Sequence, residues 1–473
     1  MRGVCGHPVF VAGIFLLLVG FIPLTRAGNP QRIGHTQLNF GHTNDSGLYA
    51  ATIDVTNGYG YFIGDYLYKV DLTTNLPVAV GAPLVAQHAL HCGMDVAAGQ
   101  LYVGRAALDR FAVNGTNAVT ANGSLTLAAG GAVEILIDDA DPALTNHYGY
   151  VLCTSSGNPA VVVKVALAAF TNVSAVTLTG QTNFLFAGAA DVKNGYGYFV
   201  SSPASTSSVP YLVKIKFTPG TNAPVRVGTT SFGVVGEFVD GGCVDTVHGY
   251  AYYGTYGNVG GTARVYKLKL EAGDAAPTVV GAVDLKSGEG RLAAAFCDPT
   301  NNFVYFADDN TYPGNLYQFG MNGTNPPVEI GPYPMLGTTN AHPANGTTAA
   351  NTNDAYGNLL YGEVFFRSAV FDPVRGFAYL GQDSRPNQVV KVQVAKPDAF
   401  ALTGAQKTNG GFQFAFTNIS GGTFSVLRST NIALAGSNWI SLGTVTDNPA
   451  GQFHFTDASA TNGGARFYRV SSP

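Results

Sequence analysis

The feature that most constrains this chain is an aromatic segment that recurs seven times. Each copy contains a Tyr at the same place, and successive copies are 41, 48, 48, 54, 53 and 74 residues apart. An Asp stands seven positions before that Tyr in six copies, and the third copy has Asp141 with a two-residue insertion. The tyrosines are Tyr61, Tyr102, Tyr150, Tyr198, Tyr252, Tyr305 and Tyr379, and the six aspartates are Asp54, Asp95, Asp191, Asp245, Asp298 and Asp372. Self-similarity at this period predicts a repeat architecture.

Each copy predicts four short antiparallel strands. A small-residue strand precedes the Asp, the Tyr strand follows it, a third strand carries a basic residue between apolar ones, and a fourth often follows a Pro-marked turn. The basic residues are Lys69, Lys164, Lys214, Lys267 and Lys391, and Arg110 and Gln318 take this place in the other two copies. A four-stranded unit cannot bury both faces until neighbours stack on it radially, so we predict an all-β chain: a seven-bladed β-propeller followed by a small β-sandwich.

Four segments follow from this pattern. Residues 1–27 have an N-terminal charge, an apolar run and small residues before a possible cleavage site, which is the pattern of a secretory signal peptide. The alternative is a membrane anchor, but the uncharged run is shorter than a membrane-spanning helix needs. Residues 28–397 are predicted to form the propeller, with residues 28–40 as the closing strand of the last blade. After Pro397 short alternating runs separated by Gly- and Asn-rich turns predict a β-sandwich over residues 398–473.

Both parts resemble known modules. Residues 30 to 396 resemble the Asp-x-x-x-Gly-Tyr-x-Tyr repeat propellers of secreted bacterial proteins, related to YVTN and NHL propellers, a resemblance that is specific for fold and poor for function. The C-terminal segment resembles a fibronectin type III-like module on the marks Ser429-Thr430-Asn431, Trp439, Phe455-Thr456-Asp457 and Arg466-Phe467-Tyr468-Arg469-Val470. That second resemblance implies an accessory attachment or sorting role without chemistry.

The charge and the cysteines of the chain limit which partners and which compartment can be expected. Only 11% of residues are charged and the net charge is −4, which argues against nucleic-acid binding because neutralising phosphates needs clustered Lys and Arg. We expect a secreted, extracellular, periplasmic or cell-surface monomer with no transmembrane anchor after signal cleavage. Cys92, Cys153, Cys243 and Cys297 would permit two disulfides in three connectivities, but apolar surroundings of Cys243 and Cys297 favour free thiols.

The recurring Asp and Lys are interpreted as architecture, since an active site occurs once. Each Asp is expected to cap the turn between the first two strands and to pair with a third-strand Lys held between blades. A second set of carboxylates precedes the repeat Asp by eight or nine residues, in loops that enter the innermost strands: Asp45, Glu237, Glu289 and Glu363. This partial ring could coordinate Ca²⁺ or attract a cationic ligand. The alternative is that each carboxylate accepts hydrogen bonds from its own loop.

Two further groups are candidates for binding. The loops between the second and third strands are long in the later copies and would share a concave face suited to a carbohydrate or peptide; they carry Tyr256, Asp308, Asp309, Tyr312, Asp383 and Arg385. His88, His91 and Cys92 are weak metal candidates, because they are soft ligands at a spacing that matches no established site.

The sequence has no nucleophile elbow, zinc-protease His pair or phosphate-binding glycine loop. We therefore predict a non-enzymatic binding or scaffold protein with a carbohydrate, peptide or protein ligand and no assigned catalytic residue. The alternative is a secreted propeller enzyme of the lactonase, lyase or hydrolase kind with its site at the channel mouth.

Overall fold

The structure is a computed structural model. It describes residues 29–38, 47–86, 89–113, 115–154, 159–179, 185–201, 209–255, 262–286, 289–309, 311, 314–335, 365–383, 387–394, 402–408, 410–417, 424–432, 434, 438–445, 452–460 and 466–471. These residues belong to two compact units, a large one over Asn29–Lys396 and a small one within Pro397–Pro473. The helical segments of the described residues are two short 3₁₀ turns, Leu144–Asn146 and Val192–Asn194, and none is long and apolar enough to cross a membrane.

The described part of the large unit contains seven antiparallel sheets, numbered here in chain order by their first strands. Sheet 1 comprises β2 (Ala50–Asp54), β3 (Tyr59–Ile63), β4 (Tyr66–Asp71), β5 (Val78–Ala79) and β6 (Leu84–Val85). Sheet 2 comprises β7 (His91–Asp95), β8 (Gln100–Gly104), β9 (Leu108–Ala112) and β10 (Thr120–Leu125). Sheet 3 comprises β11 (Gly131–Asp138), β12 (Tyr148–Thr154), β13 (Val161–Ala166) and β14 (Thr171–Thr177).

The remaining four sheets repeat the same order. Sheet 4 comprises β15 (Leu185–Asp191), β16 (Tyr196–Ser201), β17 (Tyr211–Lys216) and β18 (Val225–Ser231). Sheet 5 comprises β19 (Val239–Asp245), β20 (Tyr250–Thr255), β21 (Arg264–Lys269) and β22 (Thr278–Asp284). Sheet 6 comprises β23 (Leu292–Asp298), β24 (Phe303–Asp308), β25 (Asn315–Gly320) and β26 (Val328–Pro334). Sheet 7 comprises β27 (Phe366–Asp372), β28 (Phe377–Gln382), β29 (Gln388–Gln393) and, from the start of the chain, β1 (Gln31–Gln37).

The first strands of these sheets form a closed ring. Each contacts the first strand of the next sheet in chain order, and β27 of sheet 7 returns to contact β2 of sheet 1. The outer place in sheet 7 is taken by β1, which pairs antiparallel with β29 from Gln31 opposite Gln393 to Gln37 opposite Gln388. The two ends of the large unit are therefore joined by backbone hydrogen bonds in one sheet.

The core lies between neighbouring sheets, because both faces of the second and third strands are apolar. Strand β3 is buried at all five residues, and the tyrosines of the repeat are among the largest fully buried side chains. Separate buried clusters fill the spaces between sheets; one of them joins Tyr252 and Val265 of sheet 5 to Val304 and Phe306 of sheet 6. The fourth strands are more exposed than the second and third, and β10 is exposed at five of its six residues.

The small unit contains two three-stranded sheets in its described residues. One comprises β30 (Thr403–Thr408), β31 (Gly411–Thr417) and β34 (Gln452–Asp457), and the other β32 (Phe424–Ser429), β33 (Ile440–Val445) and β35 (Phe467–Ser471). Phe416 and Phe453 of the first sheet and Phe424 of the second belong to one buried cluster. Asp457 accepts hydrogen bonds from the Tyr468 hydroxyl and the Arg466 guanidinium, both at 2.9 Å, which ties the two sheets together.

Candidate functional site

The recurring Asp is a turn cap, as the repeat predicts. Asp54 accepts hydrogen bonds from the backbone N–H and the side-chain amide of Asn57 at 2.9 and 2.7 Å. Asp372 accepts from the backbone N–H and the guanidinium of Arg375 at 3.0 and 2.6 Å. Equivalent bonds to the following turn are made by Asp95, Asp191, Asp245 and Asp298. These carboxylates are occupied with their own turns, which confirms their architectural role.

The third copy corrects the sequence alignment. The residue that ends β11 opposite Tyr148, where the other sheets have their capping Asp, is Asp138. Asp141 instead lies in the inserted loop, where it accepts hydrogen bonds from the Ala143 N–H and the Asn146 side chain at 2.8 Å. The insertion also carries His147, whose ring bridges the Asp95 carboxylate of sheet 2 and the Asp141 carbonyl at 2.7 and 2.6 Å. The insertion therefore supplies a polar link between sheets 2 and 3.

The recurring Lys links neighbouring sheets through backbone carbonyls. Lys214 of sheet 4 donates to the carbonyls of Glu271 and Gly273 in sheet 5 at 2.7 and 2.6 Å, and its ammonium lies 4.1 Å from the ring centroid of Tyr196. Lys69, Lys164, Lys267 and Lys391 contact the next sheet in the same way. The expected pairing of Lys with the capping Asp is replaced by these carbonyls. Burial lowers the pKa of Lys267 to about 8, against the opposing charge of Asp245.

Two members of the predicted acidic ring are held by their own loops. Glu237 is fully buried and accepts hydrogen bonds from the Val234 N–H at 2.9 Å and the Tyr266 hydroxyl at 2.6 Å. Glu289 accepts from the Lys286 N–H at 2.6 Å. Asp45 and Glu363 lie outside the described residues. The two carboxylates that the structure places thus have the arrangement of the alternative interpretation, in which each stabilises its own loop.

The predicted binding loops are described only in part. Asp308 is fully buried and accepts hydrogen bonds from the Thr311 hydroxyl at 2.5 Å and the Asn315 N–H at 3.2 Å, so it holds its loop together. Burial raises the pKa of Asp308, and these hydrogen bonds oppose the shift. Asp383 lies beside Arg367. Tyr256, Tyr312 and Arg385 lie outside the described residues.

His91 takes part in a link across three sheets. Its Nδ1 lies 3.1 Å from Glu134 of sheet 3, and the Glu134 carboxylate also accepts a hydrogen bond from the Gly188 N–H of sheet 4 at 2.9 Å. Burial raises the pKa of the neighbouring Cys92 thiol. His88 lies outside the described residues, and within the described part of the chain no three His, Cys, Asp or Glu side chains are grouped to hold a metal ion.

Sequence reasoning placed Asp309 and Asp383 in candidate binding loops but did not find the cluster of five charged side chains to which they belong, where sheets 5, 6 and 7 meet. We call it the guanidinium cluster; its members are Asp240, Arg291, Asp309, Arg367 and Asp383. All five lie where a first strand begins or a second strand ends. Because the two strands are antiparallel, these points share one end of the sheets. The cluster is therefore at one mouth of the ring of first strands.

The two arginines bind carboxylates from three sheets. Arg367 lies 2.8 Å from Asp309, 3.4 Å from Asp240 and 3.4 Å from Asp383, each distance joining a guanidinium nitrogen to a carboxylate oxygen. Arg291 lies 3.3 Å from Asp240 and 3.2 Å from Asp309. Asp240 and Asp309 thus each lie within ion-pair distance of both guanidinium groups.

β-Bulges bring Asp240 and Arg367 to this place. In sheets 5 and 7 the pairing register between the first and second strands shifts across these residues, so each is the extra, unpaired residue of a bulge. A bulge re-aims its side chain relative to the regular alternation of a strand. The bulge residue of the intervening sheet 6 is Ala293, which carries no charge.

The five groups differ in exposure. The Asp309 side chain is 1% exposed, whereas those of Asp240 and Asp383 are 24% and 22% exposed and those of Arg291 and Arg367 are 32% and 27% exposed. Burial raises the pKa of Asp309 to about 6, and the two arginines oppose that shift. The arrangement is a buried carboxylate beneath two guanidinium groups, with acceptors and donors side by side at the surface.

Such a surface can bind a polar ligand from two directions. A guanidinium donates hydrogen bonds in a fixed fork, and an ionised carboxylate accepts them. Asp240 and Arg291 therefore offer an acceptor and a donor a few ångströms apart. A sequence signal could have located the two arginines, since Arg291 and Arg367 stand at positions that hold neither Lys nor Arg in the other copies.

The comparisons with solved structures show a propeller-type fold. The chain is similar to hydrazine synthase of Kuenenia stuttgartiensis with a TM-score of 0.55 and 11% identity over 76% of this chain and 98% of that one. The WD40 repeats of RRP9 match with a TM-score of 0.50 and 11% identity, and U3-55K matches with 0.50 and 10%; each alignment covers 77% of this chain and at least 99% of the other. No protein-family model and no curated protein matches the chain.

Proposed function

We propose that this protein is a secreted, non-enzymatic binding or scaffold protein built on a seven-bladed β-propeller with a C-terminal β-sandwich module. Its ligand binds at the mouth of the ring, over the guanidinium cluster. We take the seven sheets of the large unit as the blades, and β1 as the strand that closes the last of them. The two small sheets around a common core support the sandwich.

The observation that carries the binding site is the single occurrence of the guanidinium cluster among the described residues. The Asp caps and Lys links recur around the ring and are explained by architecture, whereas this convergence of five charges is built by departures from the repeat. Ion pairs that are partly exposed contribute little to stability, and a mostly apolar interface would fix the sheets without them. A set of paired charges at the mouth of the ring is better explained by recognition of a polar carbohydrate, peptide or protein surface.

The test is a binding screen against glycans, peptides and cell-wall fragments, with and without Ca²⁺, followed by a matched pair of variants. Asp240→Asn keeps the shape of the cluster but removes a charge-assisted acceptor, so affinity for the retained ligand should fall about tenfold. The control is Asp274→Asn, an exposed carboxylate in the turn between the third and fourth strands of sheet 5. Since that turn lies at the opposite end of the sheet, the affinity of Asp274→Asn for the ligand should stay within about twofold of the wild-type affinity. Equal binding by Asp240→Asn and wild type would place the site elsewhere.

The Ca²⁺ arm tests the acidic ring separately. If Ca²⁺ binds the folded protein, its thermal midpoint should be higher in Ca²⁺ than in chelator. Identical midpoints would remove the metal from the proposal without affecting the guanidinium cluster.

Asp309 favours a second candidate, a propeller enzyme with acid–base chemistry at the same mouth. A buried carboxyl whose pKa is raised to about 6 holds or releases a proton near neutral pH, which suits a general acid or base. This candidate requires turnover of a bound ligand in the screen and its loss in Asp309→Asn. Binding without turnover supports the non-enzymatic proposal.

A further inference from the structure

Two cysteines face each other across one interface between sheets. Cys243 lies in β19, opposite Tyr252 of β20, and Cys297 lies in β23, opposite Val304 of β24. Directly opposed residues of an antiparallel pair project from the same face of the sheet. Tyr252 and Val304 belong to the buried cluster between sheets 5 and 6, and both cysteines pack against that cluster.

The position of each thiol along its strand agrees with this. Cys243 precedes its capping Asp by two residues and Cys297 precedes its own by one. Side chains alternate along a strand, so the two thiols leave opposite faces of equivalent strands. In stacked sheets of the same orientation, opposite faces of neighbours are the faces that meet. The two first strands are in extensive contact, and the nearby Cys243 thiol contributes to raising the pKa of Cys297.

The other two mature cysteines occupy different interfaces. Cys92 packs against the cluster between sheets 1 and 2, together with Tyr61 and Val103. Cys153 belongs to the cluster between sheets 2 and 3. Sheet 2 therefore stands between them, and neither shares an interface with Cys243 or Cys297. All four are thiols in the structure, and of the pairings that four cysteines allow, the fold brings one together.

We propose that Cys243 and Cys297 form a disulfide that cross-links sheets 5 and 6 in an oxidising compartment, while Cys92 and Cys153 remain thiols. The oxidant is a small-molecule or protein disulfide. One thiolate attacks it to form a mixed disulfide and releases one thiol; the second thiolate then attacks the cysteine sulfur of the mixed disulfide and releases the other. Two cysteine thiols are oxidised, one external disulfide is reduced to two thiols, and the two protons end on those thiols.

Burial determines how the experiment is run. It raises the pKa of Cys297 well above its usual value, so the thiolate that starts the exchange is scarce in the folded protein. The full chain is therefore incubated with oxidised glutathione both in the native state, at mildly alkaline pH, and during refolding. A parallel sample is kept in dithiothreitol. Free thiols are then blocked with an alkylating agent and the unreduced protein is digested and mapped by mass spectrometry.

The expected result is a peptide pair joined through Cys243 and Cys297, with Cys92 and Cys153 alkylated. Alkylated Cys243 and Cys297 after both oxidation protocols, glutathione adducts on either without a cross-link, or a disulfide joining any other pair would overturn the proposal. This mapping uses the wild-type chain, so it does not depend on the folding of a variant.

Thermal unfolding provides the matched variants. The oxidised wild type should melt a few degrees above the reduced protein, because a cross-link restricts the unfolded chain. The double variant Cys92→Ser/Cys153→Ser should retain this difference, and Cys243→Ser/Cys297→Ser should lose it. The reverse pattern would contradict the assignment of the pair.

Discussion

Asp309 is held between two opposing effects, and replacing it with Asn shows which one prevails. Its side chain is 1% exposed, so the loss of hydration favours the neutral acid. Arg367 at 2.8 Å and Arg291 at 3.2 Å favour the carboxylate. Burial is the larger effect and raises the pKa to about 6 from the ordinary value of 3.8. The amide introduced by Asp309→Asn would have nearly the same shape as the carboxyl and would not titrate.

The sign and size of the effect follow from this shift. A carboxyl whose pKa is higher in the folded than in the unfolded state contributes stability that is complete below the unfolded pKa and is lost as the pH rises through the folded pKa. The window therefore runs from about pH 4 to about pH 6. At about 1.4 kcal/mol per pKa unit, wild type should lose roughly 3 kcal/mol across it relative to Asp309→Asn. For a unit of this size that corresponds to about 4 °C in Tm.

The assay is the difference in Tm between wild type and Asp309→Asn, measured by circular dichroism at intervals from pH 4 to pH 8. The Tm of the variant should rise relative to that of wild type as the pH rises through the window, and the difference should persist at higher pH. Asp383→Asn, in the same cluster but partly exposed, controls for removal of a charge from this mouth and should show a smaller pH dependence. If the Tm of Asp309→Asn instead falls relative to that of wild type as the pH rises, the arginines outweigh burial and the reasoning is refuted.

Two further predictions concern the ring itself. Deleting residues 28–40 removes β1 and exposes the edge of β29, so Tm should fall by several degrees and the protein should tend to associate; an unchanged Tm would show that β1 does not close the ring. Lys267→Met leaves the carbonyls of Met321, Gly323 and Asn325 without their donor and should lower the free energy of unfolding in urea by about 3 kcal/mol. The exposed control Lys216→Met should change it by less than about 0.5 kcal/mol, and equal losses in the two variants would contradict a linking role for Lys267.

The repeated sheets could be predicted because one local signal occurs many times. The strand with Tyr61, its capping Asp54 and the strand with Lys69 recur with small changes, so an error in one copy is corrected by the others. The structure confirms repeated four-stranded antiparallel sheets and a propeller-type fold. The alignment was wrong where the repeat is interrupted, since Asp138 holds the place of the capping Asp at the end of the strand and Asp141 lies in the inserted loop.

The role of the recurring Lys could be predicted only in outline. A basic residue between apolar neighbours indicates a long side chain that reaches past its own sheet. Its partner could not be predicted from the repeat, because backbone carbonyls are present in every turn and carry no signature in the sequence. The expected partner was the capping Asp, yet Lys214 binds the carbonyls of Glu271, Gly273 and Ala275 in the next sheet. The turn of the next sheet thus gives Lys214 neutral carbonyl acceptors in place of a carboxylate.

The sequence placed Asp309 and Asp383 in candidate loops, but the other three members of the guanidinium cluster were not predicted, for a related reason. Asp240 and Arg367 reach it from bulges, and a bulge breaks the period-two pattern from which the orientation of a side chain is predicted. The same position is Val133 in sheet 3 and Ala293 in sheet 6, so the bulge itself belongs to the architecture while the charge does not. A residue type that departs from the repeat at a position where the backbone already re-aims the side chain can therefore change a surface without changing the fold. That is how a ring of similar sheets can acquire one site, and it is why we propose the ligand where sheets 5, 6 and 7 meet.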